Sequence, residues 1–345
     1  MAELLLELYS EEIPPQLQIE ARSQLKKFIE NSFKENQLKY KDLTVYSSPT
    51  RLTLYAKNLS EKIQIDAKEI KGPKVGSPDQ VLQGFIKAKS ISEKDLIEKE
   101  TEKGKFFFIK TQPQAILTEN LLKKIVPKAI ASINWKRSMR WSDHNLMWGR
   151  PLRSIFARFD NNKLLFKFDH LETNDEVIIE QDLIIKTKKI KNFAEYLAFL
   201  KSHEIIVDHE EREKIILKKI NSVAKSKQYK EHLNPKLLEE VVNIVEDPNL
   251  LLVNFNKEYL KIPQEIIIST LEKNQRYFPI FDSRDRLTNY FFVIANKKDE
   301  KKLITVGNKR VVEARLADAK FFWDKDRSKN LIKQIGNLKS ITFYE

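Results

Sequence analysis

The sequence predicts an α+β fold of two or more domains, with mixed and antiparallel sheets packed against helices. Three observations lead there. A strand, a long helix and two closely spaced strands open the chain, an order that suits a sheet covered by helices. At 345 residues the chain exceeds the size of one ordinary core. Its 41% hydrophobic and 10% aromatic content suffices for well-packed globular units. No Gly-, Ser- or Pro-rich linker and no internal repeat marks a boundary. The expected division is an N-terminal α+β unit over 1–70, a central α+β unit over 71–190 and a helix-rich α+β unit over 191–345.

Ala2 to Tyr9 reads as a buried strand, and Glu11-Glu12-Ile13-Pro14-Pro15 opens an amphipathic helix to about Asn36, with prolines where a first turn tolerates them. Glu11 and Glu12 sit where the helix dipole favours negative charge, a better account than a carboxylate pair for acid–base work. Leu43–Tyr46 and Leu52–Ala56 read as strands around Ser47-Ser48-Pro49-Thr50-Arg51. Ser77-Pro78-Asp79-Gln80 is a capping box before the apolar stripe Val81, Leu82, Phe85 and Ile86. Lys105–Thr111 reads as a strand, and Thr118 is expected to cap a helix that Pro127 kinks or splits. From Ser154 to Phe168 two strands are expected to pair across Asp160-Asn161-Asn162. Asn192 and Asp208 begin capping boxes with Glu195 and Glu211, and Ile205–Val207 between them reads as a strand. Asn234-Pro235 caps a helix with Leu237, Leu238, Val241 and Val242 inward, and Pro263 starts another that ends at Asn274. On the last long helix, Val312, Leu316, Ala319 and Trp323 share one face, with Val311, Arg315, Asp318 and Phe322 on the adjoining one. Arg315 and Asp318 are expected to form a half-buried structural ion pair; the other reading turns Arg315 toward an anionic partner beside Lys309 and Arg310.

A formal charge of +13 points to an anionic partner such as nucleic acid, or to a compositional abundance of lysine that is merely solvated. The basic run Lys186–Lys191 reads as a solvated strand end. Cations and aromatics interleave most tightly in Trp135-Lys136-Arg137-Ser138-Met139-Arg140-Trp141. That pattern suits stacking and phosphate contact with RNA; alternatively the tryptophans are core anchors and the cations a rim. Without cysteine there is no disulfide, thiolate metal site or cysteine nucleophile. His203, Glu204, Asp208 and His209 resemble a metal cluster only superficially, because an intervening strand keeps the histidines off one helical face. The three Asp-His dipeptides read as turns or caps. No Walker loop, dinucleotide-binding glycine pattern or nucleophile elbow occurs, and no nucleophile, base and oxyanion set assembles, so no catalytic residue and no metal ligand is assigned. The apolar start contains Glu3 and Glu7 and lacks a basic leader, and no run reaches the roughly 20 apolar residues of a membrane span. A soluble, cytoplasmic protein without membrane contact is expected.

Asn274-Gln275-Arg276-Tyr277-Phe278, Asp282, Phe292-Val293-Ile294-Ala295-Asn296, Gly307-Asn308-Lys309-Arg310-Val311 and Ala314 to Trp323 together resemble the signature of the β subunit of bacterial two-subunit glycyl-tRNA synthetases. LLLELYSEEIPP, SSPTRLTLYAKNL and Trp148-Gly149-Arg150-Pro151-Leu152-Arg153 extend that resemblance. Where the family carries Gly-His-Arg-Phe after the position matching His170, this chain departs, reading Thr173-Asn174-Asp175-Glu176-Val177-Ile178-Ile179. The resemblance implies a fold like the B3/B4-type region of the phenylalanyl-tRNA synthetase β subunit. It also implies glycine attachment to tRNA(Gly) together with a catalytic α subunit, in an α2β2 assembly, with ATP and Mg used by α and no cofactor bound here. It covers about the first half of the family's β subunit and stops at Leu338–Glu345, ahead of a helical HD-like domain and an anticodon-binding domain, so the sequence is expected to be a fragment, inactive alone. Lys136, Arg137, Arg140, Lys309 and Arg310 are the expected nucleic-acid contacts. The alternatives are a stand-alone hydrolase that edits mischarged tRNA and an assembly module that never touches RNA.

Overall fold

The computed structural model describes residues 2–65, 69–89, 91–102, 104–110, 114–330, 332, 335–336 and 342. The expected strand end at Thr111 and nearly all of Leu338–Glu345 lie outside them. In chain order come β1 (Ala2–Ser10), α1 (Pro15–Glu35), β2 (Asp42–Ser48), β3 (Arg51–Leu59), β4 (Lys62–Ile65) and β5 (Glu69–Lys74). Next are α2 (Asp79–Lys89), β6 (Leu96–Thr101), β7 (Gly104–Lys110), β8 (Gln114–Leu117) and α3 (Thr118–Ala131). Then follow β9 (Leu152–Phe159), β10 (Asn162–Lys163), β11 (Lys167–Phe168), β12 (Leu171–Asn174), β13 (Glu176–Gln181) and β14 (Ile184–Lys189). The last are α4 (Phe193–Lys201), α5 (His209–Lys227), β15 (Lys230–Glu231), α6 (Pro235–Val242), β16 (Asn249–Asn254), α7 (Gln264–Ser269), β17 (Phe278–Phe281), β18 (Leu287–Ala295) and α8 (Leu303–Ser328). The architecture is α+β.

The first sheet runs β11-β12-β9-β1-β3-β2, with β10 paired on β9; β12 lies parallel to β9 and the other pairs are antiparallel. β1 is central and covered on both faces, which explains its nearly unbroken apolar run. Leu4, Leu6 and Leu8 point into a core with α1 and α3, while Leu5 points into a second core with Tyr196, Phe199 and Leu200 of α4. α1 fills the first core at intervals of four, through Leu17, Ala21, Leu25, Ile29 and Phe33. The expected boundary near residue 70 therefore separates no cores, because β9 inserts beside β1 and one hydrophobic cluster joins residues from both sides.

Around this sheet lie the small sheets β4-β8 and β5-β7-β6 and the hairpin β13-β14. The chain ends in a β15-β17-β18-β16 sheet with helices on both faces. Phe292, Phe278 and Ile280 face α5 and α6, whereas Phe291 and Val293 face Val312 and Leu316 of α8.

Several local expectations change. Glu11 and Glu12 precede a helix that begins only at Pro15, so neither lies in its first turn. Thr118 is already helical, and its hydroxyl donates to the Ser60 carbonyl (2.5 Å) instead of capping. α3 continues through Pro127. The partner of β9 across Asp160–Asn161 is only the two-residue β10. Ile205–Val207 has no strand partner, since the carbonyls of Ile206 and Val207 accept from the Arg212 guanidinium (2.6 and 3.1 Å). The caps at Asn192, Asp208 and Asn234 form as expected.

The two large sheets meet at a buried polar network. Arg51, 2% exposed, pairs with Glu7 of β1 (3.2 Å) and with Glu246 (3.7 Å). Tyr196 donates to Glu7 (2.6 Å), and Ser48 and Thr50 donate to Glu246 (2.5 and 3.2 Å). Asn296, at the end of β18, accepts from the Glu246 and Asp247 amides (2.7 and 3.1 Å). Arg212 further donates to the carbonyls of Val242 and Ser47 (both 2.9 Å). Burial pushes the Glu7 carboxyl above its usual range, against the opposing pull of Arg51 and Tyr196. For Arg51, burial favours deprotonation, but Glu7 and Glu246 outweigh it and hold the guanidinium charged.

Removing one partner strands the other charge away from water. Arg51→Met is expected to destabilise the fold by about 3–5 kcal/mol in urea unfolding, and Glu7→Gln together with Arg51→Met by clearly less than the sum of the single changes. Additive losses would dissolve the pair as an energetic unit.

Candidate nucleic-acid interface

Residues 132–151 form the loop from α3 to β9 that carries the first group of cations. Met139 and Trp148 exchange backbone hydrogen bonds (2.8 and 3.1 Å), closing the loop on itself. The Trp135 and Trp148 rings are buried, with centroids 4.9 Å apart. Gly149 lies directly under Trp135: a Cβ there would come within 2.5 Å of a ring carbon. Trp141 packs partly buried against the first core, edge-on to His170, which stacks on His144 at 3.6 Å. The tryptophans are thus core anchors, and the buried pair is not available as a platform for bases. Lys136, Arg137 and Arg140 point outward; Lys136 pairs with Glu20 of α1 (2.6 Å), and Arg137 and Arg140 form no ion pair among the described residues. What remains is a compact rim of cations suited to phosphate contact rather than stacking.

The second group is on α8. Asp299 caps it by accepting from the Ile304 and Thr305 amides (2.9 and 2.8 Å), and Val312 and Leu316 fix its rotation by burial against the last sheet. Ala319 and Trp323 continue that face. This rotation leaves Lys309 half-buried beside Glu313 (3.9 Å) and Arg310 exposed. The expected half-buried pair of Arg315 and Asp318 is not formed: both are exposed and no ion pair joins them, because the sheet covers only the neighbouring stripe. No hydrogen bond or ion pair links the two groups of cations among the described residues.

His203 and His209 do not converge. The His203 ring sits against the Phe199 carbonyl (2.9 Å) at the end of α4, while His209 opens α5. Among the described residues no group of three His, Asp or Glu side chains is placed to hold a metal, and no helix is long and apolar enough to cross a membrane. His209 instead lines a cavity of about 340 Å³ with Arg22, Glu213, Lys236, Glu239 and Asn243, between α1, α5 and α6. Burial, then Arg22 and Arg212, push its pKa down to about 4. The buried network escaped the sequence reading, although its signal was present: a single carboxylate, Glu7, inside the apolar strand LLLELY.

Comparison with known proteins gives a match over residues 4–345 to the family described as glycyl-tRNA synthetase beta subunit. Similar curated proteins are the glycine–tRNA ligase beta subunits of Rickettsia felis, 32% identical over 347 residues, and Rickettsia typhi, 34% identical over 345 residues. Both alignments cover 100% of this chain and 52% of the relative, so the chain spans about half the length of the curated relatives it matches.

The folded chain keeps His209 neutral where an unfolded histidine takes up a proton near 6.5. Stability present above pH 6.5 should therefore fall as the pH drops toward about 4. After allowance for its partial exposure the loss amounts to about 2 kcal/mol. His209→Gln should flatten that part of the urea-unfolding profile between pH 7 and pH 4.5; an unaltered profile would show that the ring is protonated normally.

Proposed function

Because this chain belongs to the glycyl-tRNA synthetase beta subunit family, we propose that it serves as the non-catalytic subunit of a glycine–tRNA ligase in the cytoplasm. In this reading it supports ATP-dependent attachment of glycine to tRNA(Gly) when assembled with an α subunit, as α2β2. The observation that carries the proposal is the family match along nearly the whole chain. ATP and Mg act in the α subunit, and this chain contributes assembly contacts and phosphate contacts. Arg137 and Arg140 on the loop and Arg310 on α8 are exposed, with Lys136 beside them on a short ion pair to Glu20 and Lys309 on a long one to Glu313, contacts that an RNA phosphate would replace.

The deciding experiment measures glycylation by purified α subunit with a β subunit of the relatives' full length, with this chain, and with neither. Glycylation with the full-length subunit and none with this chain or without β is the expected result. Failure of the full-length subunit to stimulate α would overturn the reading. In filter binding of labelled tRNA, Arg137→Ala and Arg310→Ala should each weaken affinity for different tRNAs alike and lower the salt slope by about one unit. A residue whose removal leaves the slope intact makes no phosphate contact.

A further inference from the structure

The stacking surface that the 132–151 loop lacks is present on the small sheet β5-β7-β6. β7 reads Gly104-Lys105-Phe106-Phe107-Phe108-Ile109-Lys110, and alternation sends Phe106 and Phe108 to one face and Phe107 and Ile109 to the other. Ile109 anchors the second face by its burial. α2 lies against β5, its Phe85 ring filling the space that a Cβ on Gly72 would need. Cross-strand register completes the first face. Phe108 stands between Lys71 of β5 and Ile97 of β6, and Phe106 between Lys74 and Lys99. Lys110 lies opposite Glu69, the one carboxylate at these positions, which pairs with Lys99 (2.5 Å). Lys71, Lys74 and Lys110 form no ion pair among the described residues. All four lysines are exposed, Ile97 is 45% exposed and both rings are partly exposed, so this face is open.

Lys71 Nζ sits 3.4 Å from the centroid of the Phe106 ring, and Lys99 Nζ lies 5.9 Å from that of Phe108. Cations are therefore within reach of whatever lies on the rings. An exposed cation–π contact is weaker than a base stacked on an aromatic ring, so a base displaces Lys71 from Phe106 and frees it for a phosphate. Same-face positions are about 6.6 Å apart along a strand, roughly twice the 3.4 Å step of a duplex strand. Bases laid on both rings are splayed apart, which unpaired nucleotides allow and a duplex does not. The competing occupant is the half of the relatives' length that lies outside this chain. A polypeptide interface, however, is apolar at its centre and depleted in lysine, whereas four of the eight side chains at these register positions are lysines.

We propose that this face of the β5-β7-β6 sheet binds single-stranded RNA, stacking two successive unpaired bases on Phe106 and Phe108 while Lys71, Lys74, Lys99 and Lys110 take the phosphates. The choice of RNA over DNA rests on the glycine–tRNA ligase reading above; the stacking and phosphate contacts do not.

The test follows fluorescence anisotropy of a labelled short oligoadenylate, as RNA and as DNA, and of an RNA duplex of the same length, with the purified chain over a salt series. The RNA strand should bind more tightly than the duplex. Phe106→Leu together with Phe108→Leu keeps apolar side chains and removes the rings, and should weaken strand binding about tenfold or more while circular dichroism stays native. Phe106→Tyr together with Phe108→Tyr should retain the wild-type affinity, and Lys71→Gln together with Lys74→Gln should lower the salt slope by about 1.4 units. Binding no tighter for the strand than for the duplex, or a leucine variant that binds like the wild type, would overturn the proposal. A leucine variant with a lowered urea midpoint and unchanged RNA affinity would assign the face to packing and equally overturn it, and tighter binding of the DNA strand would overturn the choice of RNA. Binding of tRNA that Arg137→Ala weakens and the leucine pair does not would overturn the proposal and leave the ligase reading standing. Strand binding that only the leucine pair abolishes, without any binding of tRNA, would support the stacking face and overturn the tRNA reading instead.

Discussion

Two guanidiniums withdrawn from water, those of Arg51 and Arg212, constrain the arrangement of every element around them. An arginine cannot shed its charge to escape burial, so the surrounding chain has to supply acceptors at fixed positions. Arg51 draws on Glu7, Glu246 and the Ile178 carbonyl, and thereby binds the central strand, the loop before β16 and the β13–β14 hairpin to one group. Arg212 takes four carbonyls from three separate segments. The geometry of the hairpin, the start of α5 and the end of α6 are set by these demands as much as by apolar packing.

That constraint also accounts for which parts of the structure could be read from the chain. Periodicity was reliable where one element fixes its own environment. β1, α1 and the buried stripe of α8 are of this kind, and so are the side-chain caps at Asn192, Asp208 and Asn234. It failed where a distant group decides. Ile205–Val207 has the composition of a strand, yet its carbonyls satisfy a guanidinium and no ladder forms. The division near residue 70 failed because nothing local in β9 says that it will lie beside β1.

The candidate interface shows the same limit. The mixture of indoles and cations over 135–141 is compatible with either orientation of the tryptophans, and the outcome depends on Gly149, whose missing side chain admits the Trp135 ring. Once the rings turn inward, the cations are left as an electrostatic rim without stacking partners. On α8 the apolar stripe fixed the rotation, but whether the adjoining Arg315 and Asp318 would be covered depended on how far the sheet extends, which no residue of the helix records.

The position of β1 has a consequence for biosynthesis. Its residues Leu4 to Ser10 pair on one side with β3 and on the other with β9, whose partners run from Leu152 to Phe159. At translation rates of roughly 5–20 residues per second, the second neighbour leaves the ribosome about 7–30 s after the first strand. Throughout that interval an apolar strand bound to β3 has an open edge, available to any nascent chain nearby. A sheet assembled in this order keeps the β1 edge unpaired until β9 arrives, while Glu7 already has its partner Arg51 on β3.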